Sequence, residues 1–85
     1  MLMIEMKEII LDGKLMEKNP HEYIKNKLNF PDYYGSNLDA LYDCLGDIST
    51  KCKITIINSQ NLDSSLIDTF KDGEVENSQL IIELK

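Results

Sequence analysis

The chain has 85 residues, enough for one domain that buries about 60% of the surface its unfolded chain exposes, and too few for a large enclosed active site. Apolar residues make up 42% and charged residues 28%, the balance of an ordinary globular protein, which argues against global disorder. Fifteen carboxylates face nine cations, all of them lysine, for a net charge of −6; this excludes the arginine-rich basic surface that grips nucleic-acid phosphates and instead suits a basic protein partner, or simply solubility.

The N-terminal MLMIEMKEIILDG lacks a basic leader, and acids interrupt its apolar residues, so it does not read as a signal peptide. Residues 1–5 are expected to form a loosely ordered extension of a single domain spanning residues 1–85. No apolar run approaches the ~20 residues of a membrane helix, so no membrane association is expected and the cytoplasm is the expected location. Cys44 and Cys52 are too few for a secreted disulfide framework and read as buried or half-buried thiols.

In chain order, Lys7 to Leu11 is a β-branched run closed by Asp12-Gly13, a strand followed by a turn that leads toward a helix. Asn19-Pro20 starts that helix, with asparagine as cap, proline in the first turn and Glu22 complementing the dipole. It runs to about Leu28 with Tyr23, Ile24 and Leu28 inward, and Phe30-Pro31 ends it. A second helix follows Gly35, which lets the chain turn sharply. Ser36 or Asn37 is the cap, and Ser36 with Asp39 makes a weak capping box. At ~100° per residue, Leu38, Leu41 and Leu45 share one narrow face, Tyr42 lies at its margin, and Asp39, Asp43 and Asp47 fall on the far side. The helix ends near Gly46, expected in a left-handed conformation.

Lys53 to Ile57 and Gln79 to Leu84 read as strands, and their near-continuous hydrophobicity suggests parallel pairing in the interior of a sheet. Between them Leu66, Ile67 and Phe70 have helical spacing behind a cap at Asp63 or Ser64. Crossovers of this length, taken right-handed, give an α/β fold: a three-stranded parallel sheet of order 1-2-3 with helices packed mainly on one face.

Little in the chain supports catalysis. His21 sits in the first turn of its helix, where exposure without a role is expected, and Cys44, Cys52 and His21 lack zinc-ligand spacing. There is no nucleophile elbow and no phosphate loop. Asp39 and Asp43 on an open helix face stay ionised and make a poor acid–base pair. Asp63-Ser64-Ser65-Leu66 only approximates the attachment site of an acyl carrier protein, and carriers are helical. No cofactor, no metal and no enzymatic activity are expected. The binding reading uses the same residues better: Tyr33, Tyr34 and Tyr42 are amphipathic anchors beside fixed acids, although Tyr34 in particular suits the core equally well.

The stretch LNFPDYYGSNLDALYDCL, Leu28 to Leu45, closely resembles the signature of the barstar family, intracellular inhibitors of barnase-type ribonucleases. Tyr-Tyr-Gly, Asn-Leu-Asp-Ala-Leu and Asp-Cys-Leu occur together at the family's spacing, while IILDGK, the Tyr23 helix and the last strand extend the resemblance more weakly. It implies a small parallel sheet with helices, and a non-enzymatic inhibitor, monomeric when free, that plugs the cationic cleft of a basic, extracellular-type ribonuclease. By position, Asp43 would mimic a phosphate and Asp39 would be a second acidic contact. Tyr33 would meet the enzyme's rim, and Gly35, Asn37 and Leu38 would shape the loop. Counting from Phe70, further acidic contacts fall on Asp72 and Glu76. The chain has Tyr42 where the family has tryptophan and Gly46 where it has threonine, which alters the expected specificity. The alternative is a barstar-like module for another basic protein.

Overall fold

The computed structural model describes residues 6–85, so the extension expected at residues 1–5 lies outside the described residues. The elements run β1 (Lys7–Asp12), α1 (Pro20–Leu28), α2 (Leu38–Gly46), β2 (Cys52–Ile57), α3 (Ser64–Glu76) and β3 (Leu80–Leu84), with a 3-10 turn at Ser59–Asn61. The strands form one parallel sheet of order β1-β2-β3, as expected, with Ile9, Ile54 and Ile82 side by side in the register.

Burial alternates along β2: Cys52, Ile54 and Ile56 are covered, while Lys53, Thr55 and Ile57 are only partly so. The covered side joins Leu11, Leu80 and Ile82 to Ile24 and Leu28 of α1, Leu41 and Leu45 of α2, and Leu66 and Phe70 of α3 in one core. The near-continuous apolar runs therefore do not mean two covered faces. Three short helices suffice for one side only, and on the other Ile10 remains 59% exposed. A Lys53–Glu83 ion pair at 3.0 Å crosses that open face.

The first crossover is fixed by polar contacts. Met16 is fully buried in the turn after β1, and the Tyr23 hydroxyl accepts a hydrogen bond from the Asp12 backbone N–H at 3.0 Å, tying α1 to the strand end. Asn19 caps α1 by accepting from the Glu22 N–H at 3.2 Å. The helix closes on Asn29, left-handed at φ 56°, before Phe30-Pro31 is reached. α3 continues beyond Phe70 through Gly73 to Glu76, with Asp63 at the cap position but making no capping bond; its carboxylate accepts from the Ser65 hydroxyl instead.

Two local expectations are corrected. The left-handed residue before α2 is Ser36, at φ 55°, and Asn37 is the cap, so the Ser36 capping box does not form and Gly35 is not the point of reversal. Gly46 does not end α2 in a left-handed conformation, because no glycine has positive φ and Asp47 stays right-handed at φ −84°. The Asp47 N–H returns to the carbonyls of Asp43 and Cys44, and the side chain of Asn77, the C-cap of α3, reaches the carbonyls of Leu45 and Ile48.

Gly13 is required for space. A Cβ there would collide with the Asn58 carbonyl oxygen, while its N–H donates to the Ile57 carbonyl at 2.8 Å. Gly13→Ala must push β1 and β2 apart at their ends, and urea denaturation is expected to show a loss of about 1–3 kcal/mol, the ordinary cost of overpacking.

Candidate functional site

The tyrosine pair divides its work. Tyr33 is 86% exposed, whereas Tyr34 is in the core, packed against Phe30 in a tilted pair with ring centroids 5.1 Å apart. The Tyr34 hydroxyl lies 2.6 Å from His21 Nδ1 and donates to it when the neutral ring carries its proton on Nε2. His21 is thus half-buried rather than exposed, and it ties α1 to the tyrosine loop. Burial lowers the His21 pKa and pushes the Tyr34 phenol up to about 12, with a smaller contribution from Cys44.

Asn37 turns the loop into α2. Its side-chain oxygen accepts from the Ala40 N–H at 2.7 Å and its amide donates to the Gly35 carbonyl at 3.4 Å, so this expected contact residue is engaged as a cap. Gly35 is held close, since a Cβ there would lie 3.3 Å from Ala40 Cβ. Leu38 is half-buried against the core, while Asp39, Asp43 and Gly46 are exposed along the outer side of α2.

α3 lies directly against α2. Gly73 is buried at the crossing, where an added Cβ would stand 3.0 Å from Leu45 Cδ1 and 3.1 Å from Leu45 Cβ. Four residues on, Asn77 Nδ2 donates to the carbonyls of Leu45 at 2.8 Å and Ile48 at 2.9 Å, and its oxygen accepts from the Gln79 N–H. One amide therefore closes the end of α2 and shapes the entry to β3. Neither residue was found from the sequence. The available signal was glycine inside a helical pattern, which is unfavourable unless close packing requires it.

This contact brings Asp72 and Glu76 of α3 toward Tyr42 of α2. Tyr42 is 40% exposed, and its phenol pKa is raised by partial desolvation and then by the charges of Glu76, Asp72 and Asp43. Acids from two helices thus act on one hydroxyl. Val75, between Asp72 and Glu76 in sequence, is an 81% exposed apolar residue of α3 that the sequence did not single out. Asp39 lies further along the outer side of α2, and Tyr33 stands on the opposite flank, toward α1.

Among the described residues no group of three or more His, Cys, Asp and Glu side chains is placed to hold a metal ion. No described helix is long and apolar enough to cross a membrane. Cys44 is half-buried and Cys52 buried, both as free thiols. Burial raises both thiol pKa values, and at Cys44 the charges of Asp47 and Asp43 add to the rise.

These features define a class: a small acidic α/β domain with a one-sided parallel sheet, whose helix pair displays carboxylates around a tyrosine. The chain belongs to the barstar family, whose sequence model, described as "Barstar (barnase inhibitor)", matches residues 6–79. It is also 57% identical over 42 residues to a Bacillus subtilis (strain 168) protein named "Putative ribonuclease inhibitor YrdF", a match covering 47% of this chain and 46% of that protein.

Two measurements check the framework of the site. Asn77→Ala removes the side-chain donor to the Ile48 carbonyl and the second donor to the Leu45 carbonyl, and is expected to cost about 1–3 kcal/mol in urea denaturation, with faster amide exchange at the end of α2. The His21 pKa is lower folded than unfolded, so the unfolded chain binds more protons and this group makes stability rise with pH and fall as the solution is acidified. The loss should begin near the unfolded value of 6.5, above the carboxylate range, and deepen as pH drops through the folded value. His21→Asn, which keeps an acceptor for Tyr34 but does not titrate, should flatten that part of the stability profile.

Proposed function

We propose that the protein is a cytoplasmic, non-enzymatic ribonuclease inhibitor that occludes the cationic active site of a barnase-like, extracellular-type enzyme. The observation that carries this reading is the convergence of Asp43 from α2 with Asp72 and Glu76 from α3 around Tyr42, and family membership supports it. A ribonuclease cleft is built from cations that receive phosphates. Carboxylates fixed on a rigid helix pair reproduce that charge without a scissile bond, so the enzyme binds an acidic surface that it cannot cleave.

In this reading Asp43 is the principal phosphate mimic, and Asp39, Asp72 and Glu76 add further acidic contacts. Tyr33 and Tyr42 supply aromatic area, Gly35, Asn37 and Leu38 hold the loop in shape, and Gly46 keeps the end of α2 low. The free inhibitor is monomeric, and it needs no cofactor and contacts neither nucleic acid nor membrane. Two electrostatic effects operate: the summed negative field guides encounter, and desolvated carboxylates clamped by cations slow escape. The barnase–barstar complex is itself a standard illustration of both. A second reading, a module for another basic protein, rests on the same acidic face.

Titrating a barnase-type ribonuclease with the protein while following RNA cleavage should bring activity to near zero at about one equivalent. Asp43→Ala should weaken binding by at least about tenfold, or about 1.4 kcal/mol, and added salt should chiefly slow association. Folded protein that leaves every basic ribonuclease active would move the assignment to a different basic partner. An association rate indifferent to ionic strength would remove the steering component.

A further inference from the structure

On the α1 side of the acidic face, a cleft of about 230 Å³ opens between the tyrosine loop and the end of α2. Its apolar walls are Leu28, Phe30, Pro31 and Ile48, and Tyr33 and Asp47 also line it. The volume lies below the roughly 300–1,000 Å³ of small-molecule sites, so it suits one side chain better than a metabolite. We propose that this cleft is a subsite for an arginine side chain of the bound partner, its aliphatic stem along the apolar walls and its guanidinium between Asp47 and the ring of Tyr33.

The chemistry of the walls selects that occupant. A purely apolar side chain would desolvate the Asp47 charge without pairing it, and an acidic one would be repelled. Arginine combines a stem that packs on apolar surface with a planar cation that meets both a carboxylate and an aromatic face. The charge of Asp47 also awaits a partner: among the described residues no lysine lies within ion-pair distance of it, and Lys25, which reaches this loop, contacts Asp32 at 3.6 Å. Cys44 lines the same cleft, and the upward push on its thiol includes the Asp47 charge, consistent with a negative potential inside.

The cleft is continuous with the proposed binding face. Asp47 follows Asp43 by one helical turn, about 40° further around α2, so the cleft adjoins the end of the acidic stripe. The inhibitor reading supplies the identity of the partner here, but the subsite can be tested without it.

The probe is N-acetyl-arginine amide, titrated into the 15N-labelled full chain, with the neutral N-acetyl-citrulline amide as control. Saturable amide shifts are expected at Phe30, Tyr33, Cys44 and Ile48 with arginine and not with citrulline. Asp47→Asn, an exposed change that leaves the walls intact, should weaken that binding by about fivefold. No saturation, equal binding of citrulline, or an unchanged affinity in Asp47→Asn would each overturn the subsite. Titration of a panel of basic ribonucleases in parallel separates the two ideas: saturation with arginine but no inhibition of any of them supports the subsite and refutes the inhibitor reading, whereas inhibition without arginine saturation does the reverse.

Discussion

The crossing of α2 and α3 at Gly73 is the contact on which the rest of the site depends. α2 has only nine residues, far below the length at which an isolated helix persists in water, so tertiary contact must stabilise it. Its own charges act against it at one end. Asp39 in the first turn favours the dipole, but Asp43 and Asp47 lie toward the C-terminus, where no lysine balances them. A helix carrying this stripe is least stable where the stripe is most useful for binding cations. The compensation comes from α3 and its C-cap: Gly73 admits Leu45 at close range, and the Asn77 amide donates to the Ile48 carbonyl and adds a second donor to the Leu45 carbonyl, which already accepts from the Ile48 N–H.

The same crossing assembles the field. Asp72 and Glu76 flank Gly73 in sequence, one residue before and three after, so the close approach that glycine permits also sets their distance from Tyr42. Four of the nine lysines pair elsewhere, Lys53 and Lys85 with Glu83, Lys25 with Asp32, and Lys71 with Glu74, and among the described residues none forms an ion pair with Asp39, Asp43, Asp72 or Glu76. Glu74 also accepts from the Ile82 N–H at 2.7 Å and thus belongs to the framework that holds α3 on β3. The exposed face keeps its mutual repulsion in the free protein, and a cationic partner would relieve it.

The parts of this design that were legible in the sequence are those encoded by near neighbours. Asn19-Pro20, the leucine spacing of α2 and the β-branched runs each carry their signal within a few residues, and they fixed the element order and the one-sided sheet. The conformations that differed depended on remote partners. α2 needs no left-handed glycine because Asn77, thirty-two residues beyond Leu45, meets its carbonyls. His21 was expected at the surface because nothing beside it in sequence announces Tyr34, thirteen residues away. Left-handed backbone falls on Asn29, Ser36 and Asn58, while Gly13 and Gly73 are needed for close approach; composition alone does not distinguish these two uses of glycine and its substitutes.

The two departures from the family signature, Tyr42 and Gly46, gain a common meaning on this surface. They lie near each other on α2, about 40° apart around the helix axis, beside the acids. A Cβ at Gly46 would meet nothing within 4 Å, so its absence leaves open space rather than relieving a clash. At Tyr42, where the resemblance implies an indole, there is a single ring whose hydroxyl is a neutral donor, its pKa pushed further up by partial desolvation and then by the neighbouring acids. Under the inhibitor reading, both changes lower the relief of the face while preserving its charge. Electrostatic guidance of a basic enzyme would survive such a change, because charge acts at a distance, but short-range fit would not. The preferred ribonuclease would be one whose rim projects further toward α2 and offers an acceptor to the Tyr42 hydroxyl, which makes shape rather than charge the source of selectivity.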